Sequence, residues 1–347
     1  MDMNVRDVHV DPRGKSLATR YLGLDLKSPL VASASPLNAK LDNFRRLEDA
    51  GAGAIVLPSL FQEQVEAEAE AQDSQMDAYT ESSPEALSYF PKAAGGPYGM
   101  VPARYLELIR RGRETVSIPL IASLNGSSQA GWIEYARLIE QAGASALELN
   151  IYHVPTDLAE SGRDVEARTI AIVDSVCASV ALPVSVKMTP YVSSVGHFAA
   201  TLVEHGAAGL VLFNRLLQPD IDLLRMTLSD TLELSQPAEM RLPLLWTAIL
   251  AERINASIAT STGVSTSADV VKCLLAGADV VMVTSALLRH DIGYMATLVS
   301  GLQDWMAERK IASLADMRGM FSWERSRDRS VYTRANYLRI LENYTTR

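Results

Sequence analysis

Eight short apolar segments recur along the chain, and each is followed by a stretch with the periodicity of an amphipathic helix. The segments are rich in β-branched residues and are bounded by turn residues, which is typical of buried parallel strands. They are residues 30–34, 54–59, 119–124, 146–151, 184–188, 209–213, 256–261 and 280–284. Eight such units favour a (β/α)8 TIM barrel over an open doubly wound sheet, which more often has about five or six strands and a glycine-rich phosphate loop after the first.

The repeated pattern divides the chain into three parts. We expect a polar N-terminal arm at residues 1–17, a barrel at 18–310 that begins with a hairpin closing its floor, and a C-terminal helical appendage at 311–347. Two long insertions, at residues 61–102 and 216–243, follow the C-terminal ends of the second and sixth strands. Each is either a solvated surface loop or a lid over the active-site face of the barrel.

Charge and cysteine content narrow the class of protein. The net charge is −9 and no basic stripe is present, which argues against nucleic acid or an anionic membrane as a partner. No run of about 18 apolar residues occurs, and the N-terminus is too polar for a signal peptide. The two cysteines, Cys177 and Cys273, form no CxxC pair, so no disulfide framework or metal site is expected. The sequence therefore predicts a cytoplasmic protein.

Catalytic groups of a barrel lie at the C-terminal ends of its strands and in the loops that follow. Asn150 ends the fourth strand and offers a donor and an acceptor to a heterocycle, while the next loop carries Tyr152 and His153, which could exchange a proton. An ordinary surface histidine explains His153 equally well. Asn125 and Asn214 stand at the ends of the third and sixth strands.

Lys187 lies within the apolar fifth strand, and a lysine so placed needs an anionic partner. The candidates are a structural carboxylate such as Glu148, a phosphate, or the electron-rich edge of a flavin. Alternatively, a desolvated lysine can form a Schiff base with a carbonyl compound.

Small hydroxylic residues end the last two strands. Thr262 and Gly263 follow the seventh strand, and Thr284 and Ser285 follow the eighth. Barrels commonly bind phosphate at these two positions through backbone N–H groups and hydroxyls. The same residues also suit ordinary tight turns, but their presence at both strands favours a phosphate site.

Taken in order, several of these segments resemble the dihydroorotate dehydrogenase superfamily of FMN-dependent barrels, and most closely its dihydroorotate dehydrogenase-like group. The matching segments are residues 28–35, 148–157, 187–191, 213–220, 261–264, 275–279 and 334–337. The resemblance implies an FMN cofactor and a set of cofactor-binding residues. These are Ala34 and Ser35 through their backbone, Asn125, Asn150 and Asn214 through their amides, Lys187 beside the pyrimidine end of the flavin, and Thr262, Gly263, Thr284 and Ser285 around the phosphate.

The chain departs from the family pattern at four positions. His153 falls where the family has a cysteine or serine base, and Pro155 replaces an asparagine that contacts orotate. Pro58 stands where the family usually has a lysine near the flavin, and Thr262 replaces a glycine and could crowd the phosphate. We therefore expect the fold and the cofactor to be kept but dihydroorotate not to be the substrate.

The sequence predicts an FMN-dependent oxidoreductase that acts on a C–C bond of a small, cyclic substrate, with Lys187 and either His153 or Tyr152 as catalytic residues. An external electron-transfer protein and a second copy of the chain, giving a homodimer, are the expected macromolecular partners. Two alternatives stay open. One is a phosphate-binding barrel enzyme that forms an imine on Lys187, and the other is a catalytically silent accessory subunit.

Overall fold

The computed structural model describes residues 16–61, 102–125, 130–229 and 231–343. Twelve strands lie in these ranges. They are β1 (Thr19–Tyr21), β2 (Leu24–Leu26), β3 (Leu30–Ala32), β4 (Ala54–Phe61), β5 (Leu120–Asn125), β6 (Ala146–Asn150), β7 (Val184–Met188), β8 (Gly209–Leu212), β9 (Asp220–Asp222), β10 (Thr227–Ser229), β11 (Ser257–Thr260) and β12 (Val280–Val283).

Helices follow the strands in the regular alternation of the barrel. The α-helices of the described residues are α1 (Leu41–Asp49), α2 (Pro102–Thr115), α3 (Ala130–Ala142), α4 (Gly162–Cys177), α5 (Val195–Glu204), α6 (Arg241–Leu250), α7 (Ser267–Ala276), α8 (Ser285–His290), α9 (Tyr294–Glu308), α10 (Leu314–Met317) and α11 (Ala335–Glu342). Short 3-10 helices occupy Pro36–Ala39, Pro237–Met240 and Arg329–Tyr332. In this part of the chain, no helix has both the length and the apolar character needed to cross a membrane.

Eight parallel strands, β3 to β8 with β11 and β12, form a closed barrel. The ring closes where β12 pairs with β3. The predicted (β/α)8 TIM barrel is confirmed, and each barrel strand begins and ends within two residues of its predicted bounds. The C-terminal ends of all eight strands therefore meet at one mouth, which is where the candidate site residues were placed.

The antiparallel hairpin of β1 and β2 closes the opposite end of the barrel, as predicted. Its turn residues Leu22 and Gly23 have φ angles of 53° and 76°, the left-handed pair that a two-residue hairpin turn requires. The Leu22 N–H donates to Ser257 Oγ, and the Thr19 hydroxyl donates to the Asp279 carbonyl, both at strand N-terminal ends. Tyr21 and Leu22 are buried in the inner apolar cluster of the barrel, so the hairpin is its floor.

The core has two layers because successive strand residues face opposite sides of the barrel wall. Inward side chains such as Val31, Ile121 and Val211 pack against the hairpin in a small inner cluster. Outward side chains such as Leu57 and Leu147 pack against the helices in a much larger outer cluster. The wall is thus supported from both sides, which gives the site at the mouth a rigid base.

Strand β4 is longer than predicted and contains a bulge. The pairing register with β5 shifts between Val56 and Ser59, on either side of Pro58. Proline has no N–H for the ladder, so a strand that contains it is interrupted there. Pro58, which replaces the lysine of the family pattern, therefore changes the shape of the strand as well as its chemistry.

Residues 62–101 of the first insertion lie outside the described residues, and so does the lid interpretation that was placed on it. The second insertion contains the β9–β10 hairpin and the 3-10 helix Pro237–Met240. The N-terminal arm is described only from Ser16, whose N–H donates to the carbonyl of Ala312. In the C-terminal appendage, the backbone N–H groups of Gly319 and Phe321 donate to carbonyls at the end of α7.

Candidate functional site

A cavity of about 200 Å³ lies at the C-terminal mouth of the barrel. Its wall contains seven of the predicted cofactor-binding residues, namely Ala34, Lys187, Asn214, Thr262, Gly263, Thr284 and Ser285. These residues lie within or follow β3, β7, β8, β11 and β12, which are far apart in sequence. The parallel barrel brings them together because all of its strands end on the same face.

Lys187 projects from the end of β7 into this cavity, and its side chain is only 11% exposed. Its Nζ lies 3.7 Å from Oε1 of Glu148 on the neighbouring β6, which is an ion-pair distance too long for a hydrogen bond. Glu148 is fully buried, and this burial raises the pKa of its carboxyl, while the charge of Lys187 acts in the opposite direction. Glu148 is thus one anionic partner of Lys187, and the ammonium keeps its access to the cavity.

The predicted amides lie beside one another at the mouth. Asn214 Nδ2 donates to Asn150 Oδ1 at 2.7 Å, and Asn125 pairs in register with Asn150 on the adjacent strand. Of these three amides, only Asn214 lines the cavity. Asn150 therefore fixes the orientation of the amide that a ligand would meet.

Ser35 lies next to the cavity wall but does not form part of it. It precedes the 3-10 helix Pro36–Ala39, and its carbonyl accepts a hydrogen bond from the Asn38 N–H. Asn38 is buried, and its Nδ2 donates to the carbonyls of Ser33 at 2.9 Å and Val56 at 2.7 Å. Asn38, which the sequence analysis missed, therefore holds the backbone of the loop that contains Ala34.

The turn after β11 has an unusual backbone. Thr262 and Gly263 both have positive φ angles, of 77° and 79°. A β-branched residue rarely adopts this conformation, and here the Thr262 hydroxyl donates to the Phe213 carbonyl at 3.1 Å. A Cβ on Gly263 would lie 2.6 Å from the Met240 nitrogen, so this position has no room for a side chain.

Ser235 was missed by the sequence analysis, yet it bridges the two predicted phosphate turns. Its Oγ accepts a hydrogen bond from the Gly263 N–H at 3.2 Å and donates to Ser285 Oγ at 2.9 Å. Arg289 donates to the Ser235 carbonyl at 2.8 Å and fixes this segment. A phosphate oxygen bound to Gly263 and Ser285 would share or replace the Ser235 hydroxyl.

One sequence signal could have indicated Ser235. Gln236 and Glu239 form a capping box around Pro237, which marks the start of a helix. Ser235 immediately precedes this helix start, at the end of an insertion that returns to the barrel mouth. Its contacts with Gly263 and Ser285 nevertheless span 28 and 50 residues, a separation that local patterns do not report.

A second cavity, of about 940 Å³, adjoins the first. The two share Phe213, Asn214, Arg215, Leu217, Leu232, Glu233 and Thr262 as wall residues. The larger one extends between Tyr191, after β7, and the second insertion. Arg215 is held there by Glu239, whose Oε1 accepts from its Nε at 2.9 Å. Several residues of the second insertion, including Leu232 and Ser235, line the smaller cavity, so this insertion covers the barrel mouth.

The two predicted proton-transfer residues lie outside both cavity walls. The Tyr152 hydroxyl accepts a hydrogen bond from the Leu217 N–H at 3.1 Å and ties the loop after β6 to the loop after β8. His153 Nε2 lies 3.1 Å from a guanidinium nitrogen of Arg168 and 3.4 Å from Glu160 Oε2. Partial burial and the charge of Arg168 lower the pKa of His153, which favours its neutral form.

The fold is a parallel barrel with a cavity at its mouth that is lined by a lysine, an amide and hydroxylic turns, and comparison with known proteins gives its family. A model of the dihydroorotate dehydrogenase family matches residues 98–306, which is more than half of the chain. The protein belongs to this family and is therefore an oxidoreductase.

Three relatives show the range of the similarity. The catalytic subunit of dihydroorotate dehydrogenase B (NAD(+)) from Halalkalibacterium halodurans is 32% identical over 61% of this chain and 70% of its own length. The corresponding subunit from Methanocella arvoryzae is 27% identical over 86% of this chain and 95% of its own. The chloroplastic dihydropyrimidine dehydrogenase (NADP(+)) of Arabidopsis thaliana is 26% identical over 58% of this chain and 51% of its own.

Proposed function

We propose that this protein is an FMN-dependent oxidoreductase that oxidises or reduces a C–C bond of a small cyclic substrate. One observation carries the proposal: a buried lysine, an oriented amide and two turns of phosphate-binding type share one cavity at the barrel mouth. The named relatives act on dihydroorotate or dihydropyrimidines, which supports a cyclic substrate.

The residues around the cavity fit FMN. Lys187 supplies a cation that, among the described residues, has no hydrogen-bonding acceptor closer than Glu148 at 3.7 Å. Ser285 Oγ accepts from Ser235 and keeps its own hydroxyl proton available for a phosphate oxygen. The missing side chain at Gly263 lets the ligand approach the backbone. In this arrangement Thr262, Gly263, Thr284 and Ser285 hold the phosphate, and Asn214 meets the ring.

Bound FMN would supply hydride transfer, and the chain supplies binding, orientation and charge. Lys187, whose side chain is only 11% exposed, would stabilise negative charge on the bound ring. Asn150 holds the Asn214 amide in one orientation. Residues of the second insertion, among them Leu232 and Ser235, complete the cavity wall.

The proton that accompanies hydride transfer is assigned to His153 or Tyr152. An arginine cannot accept a hydrogen bond, so Nε2 of His153 accepts from Arg168, and this contact must open before the imidazole can take a proton from a substrate. Likewise, the hydrogen bond from the Leu217 N–H to the Tyr152 hydroxyl must break before this phenol can exchange a proton with a substrate. If His153 is the base, His153→Ala abolishes turnover and leaves FMN bound; if Tyr152 is the base, Tyr152→Phe does so.

Dihydroorotate itself is not proposed as the substrate. The cysteine or serine base of the family pattern is replaced by His153, and the orotate-binding asparagine is replaced by Pro155. A proline side chain offers no hydrogen bond, so an orotate amide at this position would lose a partner, and a buried polar group without a partner weakens binding. We therefore propose a related ring compound whose polar groups match Asn214 and the neighbouring cavity.

The partner and localisation predictions remain proposals. We propose a cytoplasmic homodimer that exchanges electrons with a separate carrier protein. The exposed apolar side chains of the β9–β10 hairpin, among them Leu224 and Met226, support a protein contact on that side of the molecule.

The imine alternative receives less support. An imine-forming lysine must be uncharged, whereas the Glu148 carboxyl 3.7 Å away favours the charged ammonium when it is ionised. Borohydride treatment in the presence of a phosphorylated aldehyde separates the two functions. Covalent modification of Lys187 would favour the imine enzyme, and its absence would favour the flavin enzyme.

The visible spectrum of the purified protein tests the proposal directly. Flavin absorption at about 450 nm, with FMN identified by mass after heat release, is the expected result. The protein should also take up FMN when the cofactor is added in excess. FAD in place of FMN, or no binding by a folded sample, would overturn the proposal.

A further inference from the structure

The inside of the barrel contains a polar layer directly below Lys187. Ser59, Ser123, Glu148 and Ser185 pair in register across four neighbouring strands, so their side chains share one level of the barrel. The hydroxyls of Ser59 and Ser123 bond to each other at 2.8 Å, and the Ser185 hydroxyl lies 3.4 Å from the Leu147 carbonyl. Both carboxyl oxygens of Glu148 are buried without a hydrogen-bond partner among the described residues.

Lys187 is the one charged group of the described residues that faces Glu148. The phenol of Tyr21 rises from the floor hairpin and is fully buried, and burial, with Glu148 as a second cause, raises its pKa. The hydroxyl of Tyr105, on α2, bonds to the backbone of Ser123, and burial raises its pKa too. Both phenols are therefore neutral, and Lys187 is the cation that balances the charge of Glu148 in the part of the chain that the structure describes.

A carboxylate with one cation and no donors is poorly stabilised inside a protein. Whether the Glu148 carboxyl is ionised therefore depends on how strongly the ammonium of Lys187 stabilises its negative charge. A ligand that becomes more negative on the cavity side of Lys187 competes for the same ammonium. The carboxyl then loses stabilisation and binds a proton more strongly.

We propose that Glu148 is a positioning residue that shares Lys187 with the ring edge of the bound flavin and takes up one proton when the flavin is reduced. This inference rests on the proposed function. Oxidised FMN gains two electrons and one proton from the reductant and becomes singly negative. A second proton passes from solvent to the Glu148 carboxylate, and reoxidation releases it.

A redox titration of the FMN-loaded protein tests this inference. The midpoint potential is measured with dithionite and a reference dye at a series of pH values on the alkaline side of neutrality. The parent should bind two protons for every two electrons, and Glu148→Gln should bind one, because the amide cannot take up a proton. Glu107→Gln, which alters an exposed carboxylate on α2, should behave like the parent.

The outcomes separate this inference from the proposed function. A protein that binds no FMN overturns both. A parent that binds FMN but takes up one proton, or a Glu148→Gln variant that still takes up two, overturns the role of Glu148 and leaves the flavin enzyme standing.

A second measurement needs no variant, in case Glu148→Gln does not fold. The reduced-minus-oxidised infrared difference spectrum of the parent should contain a protonated-carboxyl band that shifts when glutamate is labelled with carbon-13. A spectrum without a glutamate-derived carboxyl band would overturn the inference.

Discussion

Asn214 donates a 2.7 Å hydrogen bond to Asn150 across the mouth of the barrel. The bond joins the loop after β8 to the end of β6 and leaves the carbonyl oxygen of Asn214 free to accept from a ligand. Asn214 lines the cavity and Asn150 does not, so the proposed function gives the two amides different roles. Asn214 would contact the ligand, and Asn150 would orient Asn214.

The two roles predict unequal effects of the alanine variants. Asn214→Ala removes the cavity amide and should raise the Kd for FMN about tenfold, which corresponds to the loss of one hydrogen bond to a ligand. Asn150→Ala only frees the Asn214 side chain and should raise the Kd by less. Fluorescence titration of FMN measures both values, and a larger effect of Asn150→Ala would contradict the assignment.

Lys187→Met should weaken FMN binding by about tenfold or more and make the bound flavin harder to reduce, because the negative charge of the reduced ring loses its cation. Lys27→Met is the matched control, since Lys27 is exposed and precedes β3 at the opposite end of the barrel. Redox titration of the two variants and the parent checks the prediction. An unchanged potential and an unchanged affinity would assign Lys187 a structural role.

The barrel and seven residues of the cavity wall could be predicted because their signals are local. A β-branched apolar run defines each strand, and the parallel topology then brings the residues at the strand ends together, as for Ala34 and Lys187. Pro58 was recognised as a departure, but the bulge around it also depends on the pairing partner β5.

The rest of the site depends on contacts between distant segments. Ser235 reaches Gly263 and Ser285 only after the second insertion has folded over the mouth. Thr262 has a left-handed backbone conformation, which a β-branched residue rarely adopts. Its hydroxyl donates to the carbonyl of Phe213, which follows a different strand, β8. The capping box that follows Ser235 marks a helix start but not these contacts, and the backbone of Thr262 has no signature in the neighbouring sequence.

Ser235→Ala should lower the stability of the ligand-free protein by about 1 kcal/mol, since the Gly263 N–H loses its acceptor and Ser285 Oγ keeps only the Ser235 N–H as a donor. For a chain of this size the Tm should fall by about 1 to 2 °C. Saturating FMN should reduce this difference, because a phosphate oxygen can satisfy the same two groups. Thermal unfolding with and without FMN tests this.

The control for this variant is Ser175→Ala, which removes a hydroxyl bonded to the Ala171 carbonyl within α4. Its Tm difference from the parent should be the same with and without FMN. If the Tm difference between Ser235→Ala and the parent is the same with and without FMN, the phosphate does not bind at Gly263 and Ser285.

Arg168→Ala should raise the pKa of His153 towards its ordinary value of about 6.5, because the cation that opposes protonation is removed and Glu160 remains beside the ring. The folded-state pKa of the parent lies below the unfolded value, so the folded protein binds fewer protons. The contribution of His153 to stability is therefore present above the unfolded pKa and is lost as pH falls.

Proton NMR titration of the histidine ring signals measures this shift, with the His153 signal identified from His153→Ala. His205, which pairs with Asp174 on α4, serves as the internal control and should titrate as in the parent. A pKa of His153 that does not rise in Arg168→Ala would contradict the role given to this guanidinium.

The FMN-loaded protein should not oxidise dihydroorotate at a useful rate. Removal of the carbon-bound proton needs a base within reach of the substrate as hydride leaves. Here His153 is held by Arg168 and Glu160, lies outside the cavity wall, and is followed by Pro155 in place of an amide. Anaerobic mixing with dihydroorotate should therefore leave the flavin oxidised, while dithionite bleaches it in the same sample. Bleaching by dihydroorotate at about 1 s⁻¹ or faster, the low end of typical turnover, would show that the loop after β6 retains a functional base.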